Sequence, residues 1–422
     1  MKPYLCWLLA GLLLLTGCVQ PSNEEKAAAR PTVTVTYYSE PTAVAPAAEL
    51  PDVAGYDDFM SVLSAAVLDG TGNKNLSPVS VYIALSMAAE GARGETQGEL
   101  LALLGAQDAT DMRRTAQELL SSLEVRGETG EIALADSLWL GEQDERVRFY
   151  EAYLDVLRDS YGAEARSVRF GDPAAGRTIA DWIREKTREK VKVSEDAMQF
   201  DGDTLAVLIN TVFLKDSWRE PFHEERTEQG VFHGLNGKEG TADYMRRTDR
   251  NGTIVRGEGF LRYALPLNEV GRMVFVLPDE GVPLESLLGG PEKVGLLLRD
   301  GEEKNADVDL MVPRFSFQDR TDLEEILQSL GVRTCFTGMA DFSGMTDTPA
   351  HVSRVLQESY IGVDEKGVEA AAYTLVALAK SAAIPVDREK VDFHLTRPFL
   401  YAIESWDGTV LFLGTVAEPV QE

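Results

Sequence analysis

The chain has 422 residues, with 69 Asp plus Glu against 41 Lys plus Arg and a formal net charge of −28 at pH 7. That balance, with no basic stripe along the sequence, argues against nucleic acid as a partner and for solubility and repulsion from anionic surfaces. The length suffices to bury a large core.

The chain opens with Lys2 and a mostly apolar run over residues 4–15, too short to span a bilayer as a helix. Leu15-Thr16-Gly17-Cys18 follows and resembles a bacterial lipobox. The resemblance implies that residues 1–17 are a lipoprotein signal peptide and that Cys18 carries lipid. It also implies export and anchorage to a bacterial membrane. Val19 offers no Asp-type retention signal, which favours the outer membrane or the cell surface. The alternative is an ordinary secretory signal with a chance Cys. Residues 18–51, rich in Ala, Pro, Thr, Val and Glu, read as the lipidated Cys and a disordered tether.

From residue 52 to 422 the sequence reads as a single domain, because no Pro/Gly/Ser-rich linker or repeat interrupts it. Amphipathic spacing predicts helices over 56–68, 77–89, 109–123, 147–161 and 176–191. Ser77 is placed to cap the second of these, with Pro78 at its first helical position. Strand-like runs dominate after residue 205, so the class is α+β rather than alternating βαβ units.

Enzyme signatures are missing. His223, His233, His351 and His394 stand in no H-E-x-x-H or Cys-rich pattern, and Gly237-Lys238 is followed by Glu239 rather than Ser or Thr. No G-x-S-x-G elbow occurs. No catalytic residue, metal or cofactor is therefore expected, and His394 reads as structural. If Cys6 leaves with the signal peptide and Cys18 is acylated, Cys335 stands alone, so no intrachain disulfide is expected. Its context reads as a buried apolar position.

Residues 363–385, VDEKGVEAAAYTLVALAKSAAIP, carry the most information. An Ala-rich helix is one reading. The other is a strand: Val368, Ala370, Ala372, Thr374, Val376 and Leu378 form one uncharged face, while Glu369, Ala371, Tyr373 and Leu375 fall on the other. Downstream, VDFHLTRPFLYAIES, Asp407-Gly408 and TVLFLGTVAEP read as strand, turn, strand. That context favours the strand, held back as a loop behind Gly367.

Here the chain resembles the serpin family. Glu365-Lys366-Gly367-Val368-Glu369-Ala370-Ala371-Ala372-Tyr373-Thr374 is similar to its reactive-loop hinge. Asn73 to Ser80, Gly91 to Thr96, Leu205 to Phe222, Val312 to Phe315, Ala340 to Met345, and Phe393 to Gly414 resemble further signatures of that family, in order, from about Tyr56 onward. Leu395 stands where the last motif has Ala.

The resemblance implies a serpin fold, with helices clustered on a large central mixed β-sheet, further sheets and an exposed reactive loop at about 365–390. It implies a monomeric suicide inhibitor of serine proteases that inserts its cleaved loop into the central sheet. The hinge is then Glu365, Gly367, Val368, Glu369, Ala370, Ala371 and Ala372. Sheet opening is assigned to Ser77, Ser80, Asn210, Trp218 and Gln357. Counting from Glu365 puts the reactive bond at Ser381–Ala382, suited to elastase-like or subtilisin-like proteases. Lys380–Ser381, suited to trypsin-like ones, is the alternative. A non-inhibitory binding or scaffold lipoprotein, or an inhibitor of cysteine proteases, remains open. Gln357 replaces the family's His beneath the sheet, and a neutral amide is expected to remove pH sensitivity there. Ala180 stands where the family prefers Asn.

Overall fold

The computed structural model describes residues 53–123, 125, 130–142, 149–202, 204, 206–368 and 388–421. The signal, Cys18 and the tether lie outside them, as do Glu369, Ala370, Ala371, Ala372, Lys380, Ser381 and Ala382.

The organising element is the strand Ala206–Ser217, in which every residue but Lys215 is buried. A strand apolar on both faces needs cover on both sides. Helix Pro78–Gly91 supplies one cover and is buried along its whole length, as a helix without a polar face must be. Helix Pro173–Lys186 supplies the other, packing Ile179, Ala180, Trp182 and Ile183 against Val207, Ile209 and Leu356.

Around this strand the central sheet runs in the order Phe315–Asp322, Val352–Val363, Gly367–Val368, Ala206–Ser217, Glu131–Gly141, Glu164–Val168. Val352–Val363 and Ala206–Ser217 pair in parallel, from Val352↔Ala206 to Ser359↔Val212. Beyond that point the short segment Gly367–Val368 lies between them, so the two strands part like a wedge.

A second sheet of nine strands among the described residues holds the hairpin Phe399–Ser405 and Val410–Val416. Its turn uses Gly408 at φ 91°, a conformation that glycine adopts without strain. The edge of this sheet is Lys390–His394, paired in parallel with Glu302–Pro313.

The α+β class holds, with helices on mixed sheets. Helices Tyr56–Val67, Pro78–Gly91 and Ala109–Ser122 lie where the spacing placed them. The fourth starts only at Glu151, because Phe149 forms an isolated bridge to Thr346 and Tyr150 is extended. The fifth starts earlier, at Pro173, where the Asp172 carboxylate accepts from the Ala174 N–H. It ends at Lys186 because Arg188 and Glu189 turn left-handed, with φ of 53° and 61°.

Several elements went unforeseen, three of them before residue 205 and close to the central sheet. Helix Gly94–Leu103 buries only Thr96, Leu100 and Leu103, too thin a stripe to declare itself. Strands Glu131–Gly141 and Glu164–Val168 precede residue 205, although strands were expected to dominate only after it. Cys335 is buried in a short 3-10 turn, and burial pushes its thiol well above the ordinary range.

Candidate functional site

The site is the wedge where the central sheet parts and the short segment Gly367–Val368 enters it. Gly367 lies opposite Ser217, while Val368 lies opposite both Asp216 and Val363. The first two residues of the expected loop arm are thus already strand rather than held back. Val368 has no exposed surface. The Asp364 Oδ1 accepts from the Lys366 N–H at 2.7 Å and the Gly367 N–H at 3.2 Å, closing the turn that delivers them.

Glu365 anchors this turn from the side. Arg314 Nε lies 2.8 Å from both of its carboxylate oxygens, and Thr227 Oγ1 donates to Oε1. Burial pushes the Glu365 carboxyl up, but the bonds from Arg314 and Thr227 outweigh it and leave the group below its ordinary range.

Trp218 completes the anchor. Its backbone N–H donates to Lys366 O at 2.9 Å and its Nε1 to Asp364 O at 2.8 Å. Beneath the same turn, the Asp216 carboxylate accepts from the N–H groups of Ser217, Glu269 and Val270. Trp218 therefore sits at the hinge, where the sheet parts, while Ser77, Ser80, Asn210 and Gln357 form a separate polar cluster. Eight residues of strand separate it from Asn210, or roughly 26 Å.

That cluster lies lower, where Val352–Val363 and Ala206–Ser217 are still paired. Gln357 Nε2 donates to Ser77 O at 3.0 Å, Ser80 Oγ at 3.2 Å and Asn210 Oδ1 at 3.3 Å. Its Oε1 accepts from the Ser77 N–H at 2.9 Å. Ser80 Oγ donates to Asn210 Oδ1. Gln357 thus ties the two central strands to the first turn of the buried helix. Ser77 stands at the N-cap but makes no side-chain cap; the Gln357 amide takes its backbone groups instead.

The cluster has a member the sequence did not reveal. Asn210 Nδ2 donates to Asp136 Oδ1 at 2.6 Å, and Asp136 is 5% exposed. Burial pushes the Asp136 carboxyl up to about 7, against the Asn210 hydrogen bond that lowers it. A titratable carboxyl, Asp136, thus stands in the cluster beside the neutral Gln357. On the opposite face, next in sequence to Gln357, burial also pushes Glu358 up to about 7. Its Oε1 lies 3.4 Å from Arg320 Nε and accepts no hydrogen bond. No period or motif marked these acids, because the environment of each depends on strand pairing between distant segments.

Comparison with known proteins agrees with this architecture. A family model described as "Serpin (serine protease inhibitor)" matches residues 56–419. Putative serpin-Z6C of Oryza sativa subsp. japonica is 31% identical over 398 residues, covering 86% of this chain and 94% of that protein. An uncharacterized serpin-like protein of Thermococcus kodakarensis is 30% identical over 387 residues, covering 88% and 86%. Among solved structures, the thermophilic serpin Tengpin in its native state has a TM-score of 0.77 at 24% identity, covering 90% of this chain and 97% of Tengpin. Thyroxine-binding globulin in complex with thyroxine has a TM-score of 0.73 at 24% identity, covering 86% and 97%.

Proposed function

The chain belongs to the serpin family, and from that premise we propose that it is a suicide inhibitor of serine proteases. Membership generally means protease inhibition rather than enzymatic activity. The finer reading is that a protease attacks the bond Ser381–Ala382, or Lys380–Ser381, and forms an acyl-enzyme through its own serine. The freed arm then enters the central sheet and carries the protease with it, serpin loop insertion being itself a well-known case of strand addition and switching.

One observation carries this reading: Val368 is paired with Asp216 and Val363 at the mouth of the sheet. Continuing that register puts Ala370 between Leu214 and Ile361, and Ala372 between Val212 and Ser359. Thr374 then meets Asn210 and Gln357. All six receiving residues are buried, so this face of the arm must be small and uncharged, as it is. The bulky Tyr373 comes to the other face, beside Glu358. Each inserted residue gains backbone bonds on both sides, and an arm of 14 residues spans about 45 Å.

Anchorage through Cys18 to a bacterial membrane, on the outer membrane or cell surface, is part of the same proposal. The lipobox-like Leu15-Thr16-Gly17-Cys18 supports it. Cys18→Ser should then move the protein from the membrane fraction to the soluble one.

Incubation with elastase, subtilisin and trypsin tests the inhibitory reading. An SDS-stable adduct, sequencing of the new N-terminus at Ala382 or Ser381, and a raised melting temperature after nicking are expected. Clean cleavage without adduct or thermal gain would overturn it in favour of a non-inhibitory binding protein. Adducts with papain-type enzymes alone would redirect it to cysteine proteases.

A further inference from the structure

Asp309 and Asp392 stand directly opposite each other on the paired strands Glu302–Pro313 and Lys390–His394. Like charges in that position repel. Among the described residues Asp392 has no ion-pair partner. His394 lies two positions along the same strand and so on the same face. Its Nε2 is 3.0 Å from Asp309 Oδ2. One ligand atom from each of the three residues lies within 4.8 Å of the others. Their neighbours Val391 and Phe393 point into the core, whereas Asp392 is exposed and the His394 side chain is 30% exposed. Solvent can therefore reach the cluster.

We propose that Asp309, Asp392 and His394 bind a divalent transition-metal ion. Tetrahedral ligands about 2.1 Å from such an ion stand about 3.4 Å apart. The ligand atoms already lie within 4.8 Å of one another, and Asp392, the third ligand, is exposed and so free of core packing. Two carboxylates and one imidazole leave further positions for water, and the imidazole selects Zn²⁺ over Ca²⁺ or Mg²⁺. Thr248 Oγ1, opposite Asp309 on the next strand, lies 3.5 Å from Asp309 Oδ1 and orients that carboxylate from behind. The ion also removes the repulsion between the facing acids. No metal motif marks these residues in the sequence, because His394 and Asp309 are 85 positions apart.

The place of the site gives it a consequence. Lys390–His394 is an edge strand with one neighbour, and it is the first described strand after the loop. A metal bridging two strands clips the C-terminal end of the loop to its sheet. An uncleaved loop, tied at both ends, cannot add a full strand to the central sheet unless this edge strand comes away. The clip therefore lengthens the active lifetime. Only that consequence rests on the inhibitory reading; metal binding stands by itself.

Calorimetric titration of the purified full-length chain with Zn²⁺, and separately with Ca²⁺, is the test. Asp392→Asn and His394→Gln are titrated in parallel, since both side chains are partly exposed and neither supports the core. Saturable Zn²⁺ binding is expected at this site, weakened by about tenfold or more in each variant, with Ca²⁺ much weaker. Zn²⁺ should also slow amide exchange over residues 390–394 in the parent and not in His394→Gln. Absence of Zn²⁺ binding, or binding as strong in both variants as in the parent, would overturn the site and leave a hydrogen bond between His394 and Asp309. Neither result bears on whether the protein inhibits proteases.

Discussion

Arg314 grips both carboxylate oxygens of Glu365, with Nε 2.8 Å from each and Nη2 2.6 Å from Oε1. The pair fastens the residue that starts the hinge to the strand head beside it. Removing the arginine strands a carboxylate that is 3% exposed. The Arg314 side chain is itself 32% exposed, so the loss falls below that of a fully buried pair. Arg314→Ala should cost about 1–3 kcal/mol, read as a lower denaturation midpoint. The folded Glu365 lies below its ordinary range, so its contribution is present above about pH 4.3 and lost as pH falls through the folded value. The gap between parent and variant should therefore narrow toward pH 3.

Asp136 and Glu358 run the other way. Both are pushed up to about 7 by burial, one on each face of the sheet where the central strands are still paired. A carboxyl raised in the fold binds its proton more tightly there than in the unfolded chain. Their contribution to stability is therefore fully present below about pH 4 and is lost as pH rises to about 7. The loss is on the order of 2–4 kcal/mol for each fully buried group. Melting curves from pH 5 to pH 8 should show the midpoint falling. Asp136→Asn and Glu358→Gln should each flatten part of the slope, and an unchanged slope in both would refute the assignment.

How far the sequence was legible follows from what each residue depends on. Ser80, Asn210 and Gln357 meet as expected, because Ser80 and Asn210 sit within recognisable motifs and Gln357 stands where the family has a His beneath the sheet. Trp218 shares the sheet-opening assignment and the motif Leu205 to Phe222 with Asn210, and the length of the intervening strand sets it at the hinge, away from that contact. Arg314 stood in a recognisable Val-Pro-Arg-Phe, yet its partner lies 51 positions on and no local pattern joins them. Asp136 sits in EIALADSLWLG, whose Ala and Leu content suggests helix as readily as strand. Only pairing with Ala206–Ser217 puts its carboxylate against Asn210.

The hinge face can be tested by charge. In the proposed inserted register Ala370 lies between Leu214 and Ile361, which are 3% and 2% exposed. An arginine there is buried without a partner, at a cost of several kcal/mol. Ala370→Arg should be cleaved at the parent rate and yet form little adduct, with the stoichiometry of inhibition raised about tenfold or more. Titration against elastase or subtilisin with a gel readout checks this, and full retention of adduct would count against insertion.

The opposite face offers a test that leaves the core alone. Lys215 is the one residue of Ala206–Ser217 that is not buried. In the inserted register it stands across from Glu369, one step beyond the observed pair Val368↔Asp216. Facing opposite charges contribute about 0.2–1 kcal/mol, and facing like charges cost a similar amount. Lys215→Glu should therefore slow insertion and shift the outcome two- to fivefold from adduct toward cleaved inhibitor, an effect that high salt weakens. The reciprocal change Glu369→Lys, added to Lys215→Glu, restores an attractive pair and should recover the adduct. A purely structural role for Lys215 would leave the double variant as impaired as the single one. Rescue therefore tests the register itself, because a slip of one residue would bring Ala370 opposite position 215 and abolish it.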